Sequence, residues 1–123
     1  MVSREPVIAV IDDDESFRVA LVEALSSLGY GARAFASAEE FFAGDRTEPY
    51  DCVITDIHMP GMSGFDLKRR LLAHDSGMPV IMTTADPEPA LEVRAAAIGA
   101  VCLLRKPFEA DAMTECLERA LKV

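Results

Sequence analysis

The chain has 123 residues, 21 acidic against 12 basic, a formal charge of −9, and half of it is hydrophobic. That length suits one domain with a real core, and the hydrophobic share excludes a disordered chain. The acidic balance argues against direct nucleic-acid binding and against docking on anionic lipid, both of which depend on basic contacts. No apolar run approaches the ~20 residues of a membrane span, and the opening MVSREPVIAVIDDDE lacks the apolar stretch of a secretion signal.

In chain order, Val7–Ile11 is a short continuous apolar run, the pattern of a strand covered on both faces. Phe17, Leu21, Leu25 and Leu28 then recur on one helix face, and Gly29 stops the helix. Ala32–Phe35 reads as a weaker second strand. Ser37 to Glu40 spells S-x-x-E, a capping box for a short helix through Phe41 and Phe42. Cys52–Thr55 is the third strand, and Phe65, Leu67, Leu71 and Leu72 mark a helix after Gly64 whose wet side carries Lys68, Arg69 and Arg70. Pro79–Thr83 is the fourth strand, with proline at its first residue. Pro87 and Pro89 fit only the opening of the next helix, whose buried face is Leu91, Ala95 and Ile98 and whose stop is Gly99. Val101–Leu104 is the fifth strand. The last helix starts near Glu109, buries Met113, Leu117 and Leu121, and ends near Lys122. The first five or so residues and the stretch 44–51 read as loose.

Cys52, Cys102 and Cys116 are odd in number and fit no zinc spacing. Each sits in an apolar stretch, so they read as small buried hydrophobes in a reducing cytoplasm. The methionines read as core and loop filler, and His74 as a surface residue.

Alternating strands and helices predict a parallel sheet with helices on both faces, where ligands bind beyond the carboxyl ends of the strands. Those ends carry Asp12, Asp13, Asp14 and Glu15 after strand one, Asp56 after strand three, Thr83 and Thr84 at strand four, and Arg105, Lys106 and Pro107 after strand five. Strands one and three are neighbours in such a sheet, so several carboxylates converge, and without a cation one or more would take up a proton. An oxygen-only donor set suits Mg2+. A carboxylate, a magnesium ion, a lysine and a hydroxyl around one cavity make a phosphoryl-transfer set, with Asp56 as nucleophile. Asp14 or Glu15 reads as the cap of the first helix.

The pieces VIDDDESFR, VITDIHMPGMSG, VIMTTAD, Ile98-Gly99-Ala100 and LLRKPF occur in order over essentially the whole chain. Together they resemble the receiver domain of bacterial two-component response regulators. SAEEFF, MPGMSGFDL and RKPF are most similar to receivers of the nitrogen-fixation regulator type, joined to a LuxR-type helix-turn-helix output. The resemblance implies one receiver domain over 1–123, a flavodoxin-like doubly wound sheet of order 2-1-3-4-5 with five helices. It implies Asp56 as phosphoacceptor, Mg2+ held by Asp12, Asp13, Asp56 and the backbone carbonyl of His58, Thr84 as switch hydroxyl, and Lys106 as phosphate-binding lysine in a cis bond to Pro107.

It further implies a cytoplasmic signalling switch and not an enzyme acting on other substrates. The partners implied are a sensor histidine kinase or phosphotransfer protein and a DNA-binding output domain outside this chain. A weak phosphorylation-dependent homodimer would use helix four, strand five and helix five. The last helix ends close to Val123, which fits either a stand-alone receiver acting as phosphate shuttle or sink, or a part of a longer regulator. Two departures from the family pattern are Leu103, where an aromatic is common, and Val101-Cys102, where an acid is common near the start of strand five. Competing readings are an aspartyl-nucleophile phosphatase, opposed by His58 where its second acid would stand, a flavin-binding module, opposed by the acidic loop after strand one, and a receiver that works without phosphorylation. His58 and Asp86, each two residues past a site residue, are expected to tune loss of the phosphoryl group. His58 leans over the site, either touching that group or solvated.

Overall fold

The computed structural model describes residues 5–44, 50–74 and 76–122. Residues 1–4 and 45–49, parts of the two stretches predicted to be loose, lie outside the described residues. The elements are β1 (Val7–Ile11), α1 (Glu15–Ser27), β2 (Gly31–Phe35), α2 (Ala38–Ala43), β3 (Cys52–Asp56), α3 (Gly64–Ala73), β4 (Val80–Thr84), α4 (Ala90–Ala97), β5 (Cys102–Arg105) and α5 (Ala110–Leu121). The strands form one five-stranded sheet, all pairs parallel, in the order β2-β1-β3-β4-β5.

Side chains alternate across each strand, so each strand feeds both faces of the sheet. Ile8, Val10 and Ile54 enter a core with Leu21 and Leu25 of α1 and Met113 and Leu117 of α5. Ala9, Ile11 and Val53 enter the opposite core with Phe65, Leu67 and Leu71 of α3 and Leu91 and Ala95 of α4. This double coverage is why β1 reads as a continuous apolar run and why β3 and β4 are buried along their whole length, Thr55, Thr83 and Thr84 included. Full burial of a Leu or Ile side chain contributes roughly 1.5–3 kcal/mol. The two cores therefore hold rigid the strand ends that carry the acidic and basic groups.

Several helix ends are fixed by short polar side chains. Asp14 caps α1, its Oδ1 accepting from Phe17 N at 3.2 Å. Ser37 caps α2, its Oγ accepting from Glu40 N at 3.0 Å, but Glu40 reaches back to Ala36 N and not to Ser37 N. The reciprocal capping box lies on α3, between Ser63 and Asp66. Gly29 has φ 93° just past α1, a left-handed conformation that other residues adopt at a cost.

The structure corrects further expectations. Leu28 is 45% exposed because it is the C-cap, past the last turn of α1, and Leu72 is 49% exposed because it lies about a quarter-turn round α3 from the buried Leu71. Lys68, placed on the wet side of its helix, is 6% exposed. Its stem lies close to Gly99, and burial pulls its ammonium pKa below the ordinary value. Pro79 and Pro87 stand outside the elements they were expected to open, while Pro89 is the N-cap of α4. Lastly, Cys102 and Cys116 are not separate thiols: they form a disulfide between β5 and α5. Sequence spacing did not reveal the pair because the two residues come together only through the docking of α5 on the sheet edge. Cys52 is free and buried as expected, with its thiol pushed by burial up to about 12. His74 is exposed, as expected.

Candidate functional site at the carboxyl ends of β1, β3 and β5

Asp56 is the last residue of β3, and Asp12 directly follows β1. Parallel pairing of the two strands brings their carboxyl ends side by side. Asp12 is 1% exposed and Asp56 8%, while Asp13 is exposed. Carboxylate oxygens of Asp12, Asp13 and Asp56 all lie within 4.8 Å of one another.

Lys106 follows β5 and reaches into this cluster. Its Nζ lies 2.8 Å from Asp12 Oδ2 and 3.3 Å from Asp56 Oδ2, and 4.1 Å from the centre of the Phe17 ring. The Lys106–Pro107 bond is cis, as the resemblance implied. Asp12 is held further: its Oδ1 accepts from Asp14 N at 2.9 Å, and its carbonyl accepts from Arg18 Nη1 at 2.7 Å. Asp56 Oδ1 accepts from His58 N at 3.3 Å.

The electrostatics follow from this packing. Burial pushes the Asp56 carboxyl above its ordinary pKa; Lys106 opposes the shift, the Asp12 charge adds to it, and the His58 amide opposes it. For Lys106, burial alone would favour the neutral amine, but the hydrogen bond it donates to Asp12 and the charges of Asp56 and Asp12 together outweigh it and raise the pKa. At Asp56 burial outweighs the Lys106 charge, so the same cation does not bring that carboxyl down.

Three carboxylates therefore face one ammonium. That excess charge, presented by oxygen donors alone, two of the three carboxylates buried, fits a hard divalent cation such as magnesium. Such an ion, when bound, offsets negative charge on carboxylate and phosphoryl oxygens.

Thr84 ends β4, fully buried, and its Oγ1 accepts from Asp86 N at 3.0 Å, while Lys106 N donates to the Thr84 carbonyl at 2.7 Å. Thr83 Oγ1 is the one buried side-chain polar atom without a hydrogen-bond partner among the described residues. The His58 ring is half-exposed, with Nε2 3.3 Å from Asp86 Oδ2. In this conformation the ring pairs with Asp86, a contact that the sequence did not reveal.

Gly64, the first residue of α3, was also missed. A Cβ there would sit 2.5 Å from the Asp56 carbonyl, so only glycine lets α3 approach the end of β3 this closely. Arg105, named at the end of strand five but given no role there, holds the loop after β4 through the carbonyls of Asp86 at 2.6 Å and Glu88 at 3.3 Å.

The doubly wound 2-1-3-4-5 sheet thus carries an acidic cluster, a lysine and a threonine at its strand ends. Residues 8–118 match the response regulator receiver domain family, and the chain belongs to it. Among curated relatives, the transcriptional regulatory protein FixJ of Bradyrhizobium diazoefficiens is 37% identical over 94% of this chain and 56% of its own length. The C4-dicarboxylate transport transcriptional regulatory protein DctD of Rhizobium meliloti is 38% identical over 96% of this chain and 26% of its own. The chain thus spans about half or less of the length of these relatives. Among solved structures, FixJ-N superposes with a TM-score of 0.89 at 32% identity, covering 98% of this chain and 96% of that one. Chemotaxis protein CheY4 of Vibrio cholerae superposes at 0.86 and 27% identity, covering 96% and 100%. No helix among the described residues is long and apolar enough to cross a membrane.

Proposed function

We propose that Asp56 accepts a phosphoryl group from a phosphohistidine on a sensor histidine kinase or phosphotransfer protein, and that its phosphorylation sets the conformation of this receiver. The observation that carries the reading is Asp56 itself, at the end of a buried strand, 3.3 Å from the Lys106 ammonium and beside Asp12 and Asp13. A carboxylate oxygen of Asp56 attacks phosphorus, the bond to the histidine nitrogen breaks, and Lys106 offsets charge on the phosphoryl oxygens. Asp12, Asp13, Asp56 and the carbonyl of His58 would hold magnesium.

Thr84 then responds. Its Oγ1 accepts from Asp86 N, so its own hydrogen is available to donate to a phosphoryl oxygen. One hydrogen bond to a charged group is worth roughly 1.5–3 kcal/mol, a shift of about tenfold to a hundredfold in a two-state equilibrium. The loop after β4 moves with Thr84 and carries α4 with it. The face of α4, β5 and α5 would meet a second copy weakly, and a DNA-binding output domain outside this chain would read the change. That output is supported by the transcriptional regulators among the relatives. The compartment we propose is the cytoplasm.

The test is incubation with magnesium and acetyl phosphate, followed by intact-mass measurement. One base-labile phosphoryl group is expected on the native chain and none without magnesium, with a reduced yield in Lys106→Ala. Unmodified protein under all conditions would overturn the reading.

A further inference from the structure

Two sulfurs lie apart from the acidic site. Cys102 opens β5, four residues before Lys106, and Cys116 lies in the middle of α5. Their Cα atoms are 6.0 Å apart, a separation that a disulfide spans without moving the backbone, and the structure places them in one. Cys102 is partly exposed and Cys116 is 6% exposed. Both line a groove with Glu92 and Ala96 of α4, Leu103 of β5 and Arg119 of α5. The Arg119 guanidinium is anchored by the Val101 carbonyl at 3.2 Å and points its other nitrogen at Cys102 Sγ, 3.4 Å away. The third cysteine is built the opposite way: Cys52 has no exposure, its thiol is raised by burial, and its Sγ donates to the Val53 carbonyl inside the apolar core.

We propose that Cys102 and Cys116 are a redox-active pair, a modification site that ties α5 to β5 when a peroxide-class oxidant is present and releases it to a dithiol reductant. Cys102 is the attacking sulfur because it is the more exposed and has a fixed cation beside it to offset negative charge. Its thiolate attacks one peroxide oxygen, the O–O bond breaks, and hydroxide leaves as water after taking up a proton. The sulfenic acid so formed is attacked by the Cys116 sulfur. The S–S bond forms, the S–O bond breaks, and the departing hydroxide takes the Cys116 proton. In sum, two thiols and one hydrogen peroxide give one disulfide and two waters. A dithiol reverses this by exchange through a mixed disulfide.

The position gives the pair its use. The acidic cluster is at the carboxyl end of the sheet, whereas Cys102 starts its strand, so bridging leaves the phosphoryl chemistry intact. What it fixes is α5 against β5 on the face that phosphorylation is proposed to remodel. In a reducing compartment the thiols stay open until an oxidant arrives, so two signals of different chemistry meet on one surface.

The experiment uses the full chain, fully reduced and freed of reductant, then exposed to hydrogen peroxide. Titratable thiols in denaturant should fall from the three of the sequence to the one of Cys52. Peptide mapping should show Cys102 joined to Cys116, dithiothreitol should restore all the thiols to the folded protein, and acetyl phosphate labelling should be equal in both states. Cys52→Ser should behave as the native chain. Cys116→Ser should stop at a sulfenic acid on Cys102 that dimedone traps, and Arg119→Gln should slow the reaction several-fold while leaving the melting temperature of the reduced protein close to native. Oxidation of Cys102 to sulfinic acid with no bridge, a bridge to Cys52 or between copies, or a bridge that dithiothreitol opens only in denaturant would each overturn the proposal.

Discussion

His58 Nε2 lies 3.3 Å from Asp86 Oδ2, joining the loop after β3 to the loop after β4. Asp86 N in turn donates to Thr84 Oγ1, and His58 N donates to Asp56 Oδ1. One short chain of contacts therefore runs from the proposed phosphoacceptor to the proposed switch hydroxyl.

That chain bears on the lifetime of the phosphoryl group. Both side chains of the pair are about half exposed, and such a pair is worth roughly 0.2–1 kcal/mol. His58→Ala and Asp86→Ala should each change the dephosphorylation rate by up to about fivefold, and the phosphorylation rate by less. Following loss of label after removal of the phosphodonor measures this. Identical decay in the native protein and both variants would show that the pair does not guard the site.

Stability should respond to Asp56 in a defined direction. Its folded-state carboxyl pKa is raised, chiefly by burial, above the ordinary 3.8. As pH rises past the ordinary value the unfolded chain ionises first, so Asp56 subtracts stability until pH passes the folded value, and the deficit then stays constant. Asp56→Asn should thus melt higher than the native chain at neutral pH without magnesium, and the difference should shrink as pH falls through the folded value and be gone below about pH 4. Lys106 keeps Asp12 as a partner at 2.8 Å in that variant. Magnesium at ten times its dissociation constant should stabilise the native chain by about 1.4 kcal/mol, and Asp13→Ala much less. Thermal melts at several pH values with and without magnesium read both effects.

Gly64→Ala tests the close approach of α3 to β3. The added methyl would meet the Asp56 carbonyl, a backbone atom that cannot swing away. Destabilisation of about 1–3 kcal/mol is expected, with reduced phosphorylation because the end of β3 must shift. Gly77→Ala, where nothing lies within 4 Å of the new carbon, is the control and should be close to neutral.

Leu103 bears on the output face. It is partly buried and packs against the α3–α4 side of the core. Leucine has no hydroxyl to exchange an outer hydrogen bond for burial, so its movement on phosphorylation should be small. Any dimer formed with beryllofluoride should therefore be weak by sedimentation. A tight dimer that appears only with beryllofluoride and is lost in Leu103→Ala would show that leucine transmits the change in full.

The sheet was legible because burial on both faces writes β1 as an unbroken apolar run and opens β3 and β4 with apolar residues, and because Gly29 and Gly99 punctuate the helices. Asp12, Asp13, Asp56 and Lys106 were legible because strand ends in such a sheet converge, and the structure does bring these four together. What escaped was set by distance along the chain. Cys102 and Cys116 are 14 residues apart and meet only when α5 docks, and His58 meets Asp86 only when two loops face each other. Lys68 was misplaced because its charge suggests water, whereas its stem can lie buried with only the ammonium reaching out.

The central claim is that Asp56 forms an acyl phosphate. Borohydride reduces an aspartyl phosphate to homoserine, so treatment of the acetyl phosphate-labelled protein followed by peptide mass spectrometry names the residue directly. The account predicts homoserine at position 56 alone, dependent on magnesium and absent from Asp56→Asn. Homoserine at position 12 or 13, or a phosphoryl group that survives base and borohydride, would contradict it.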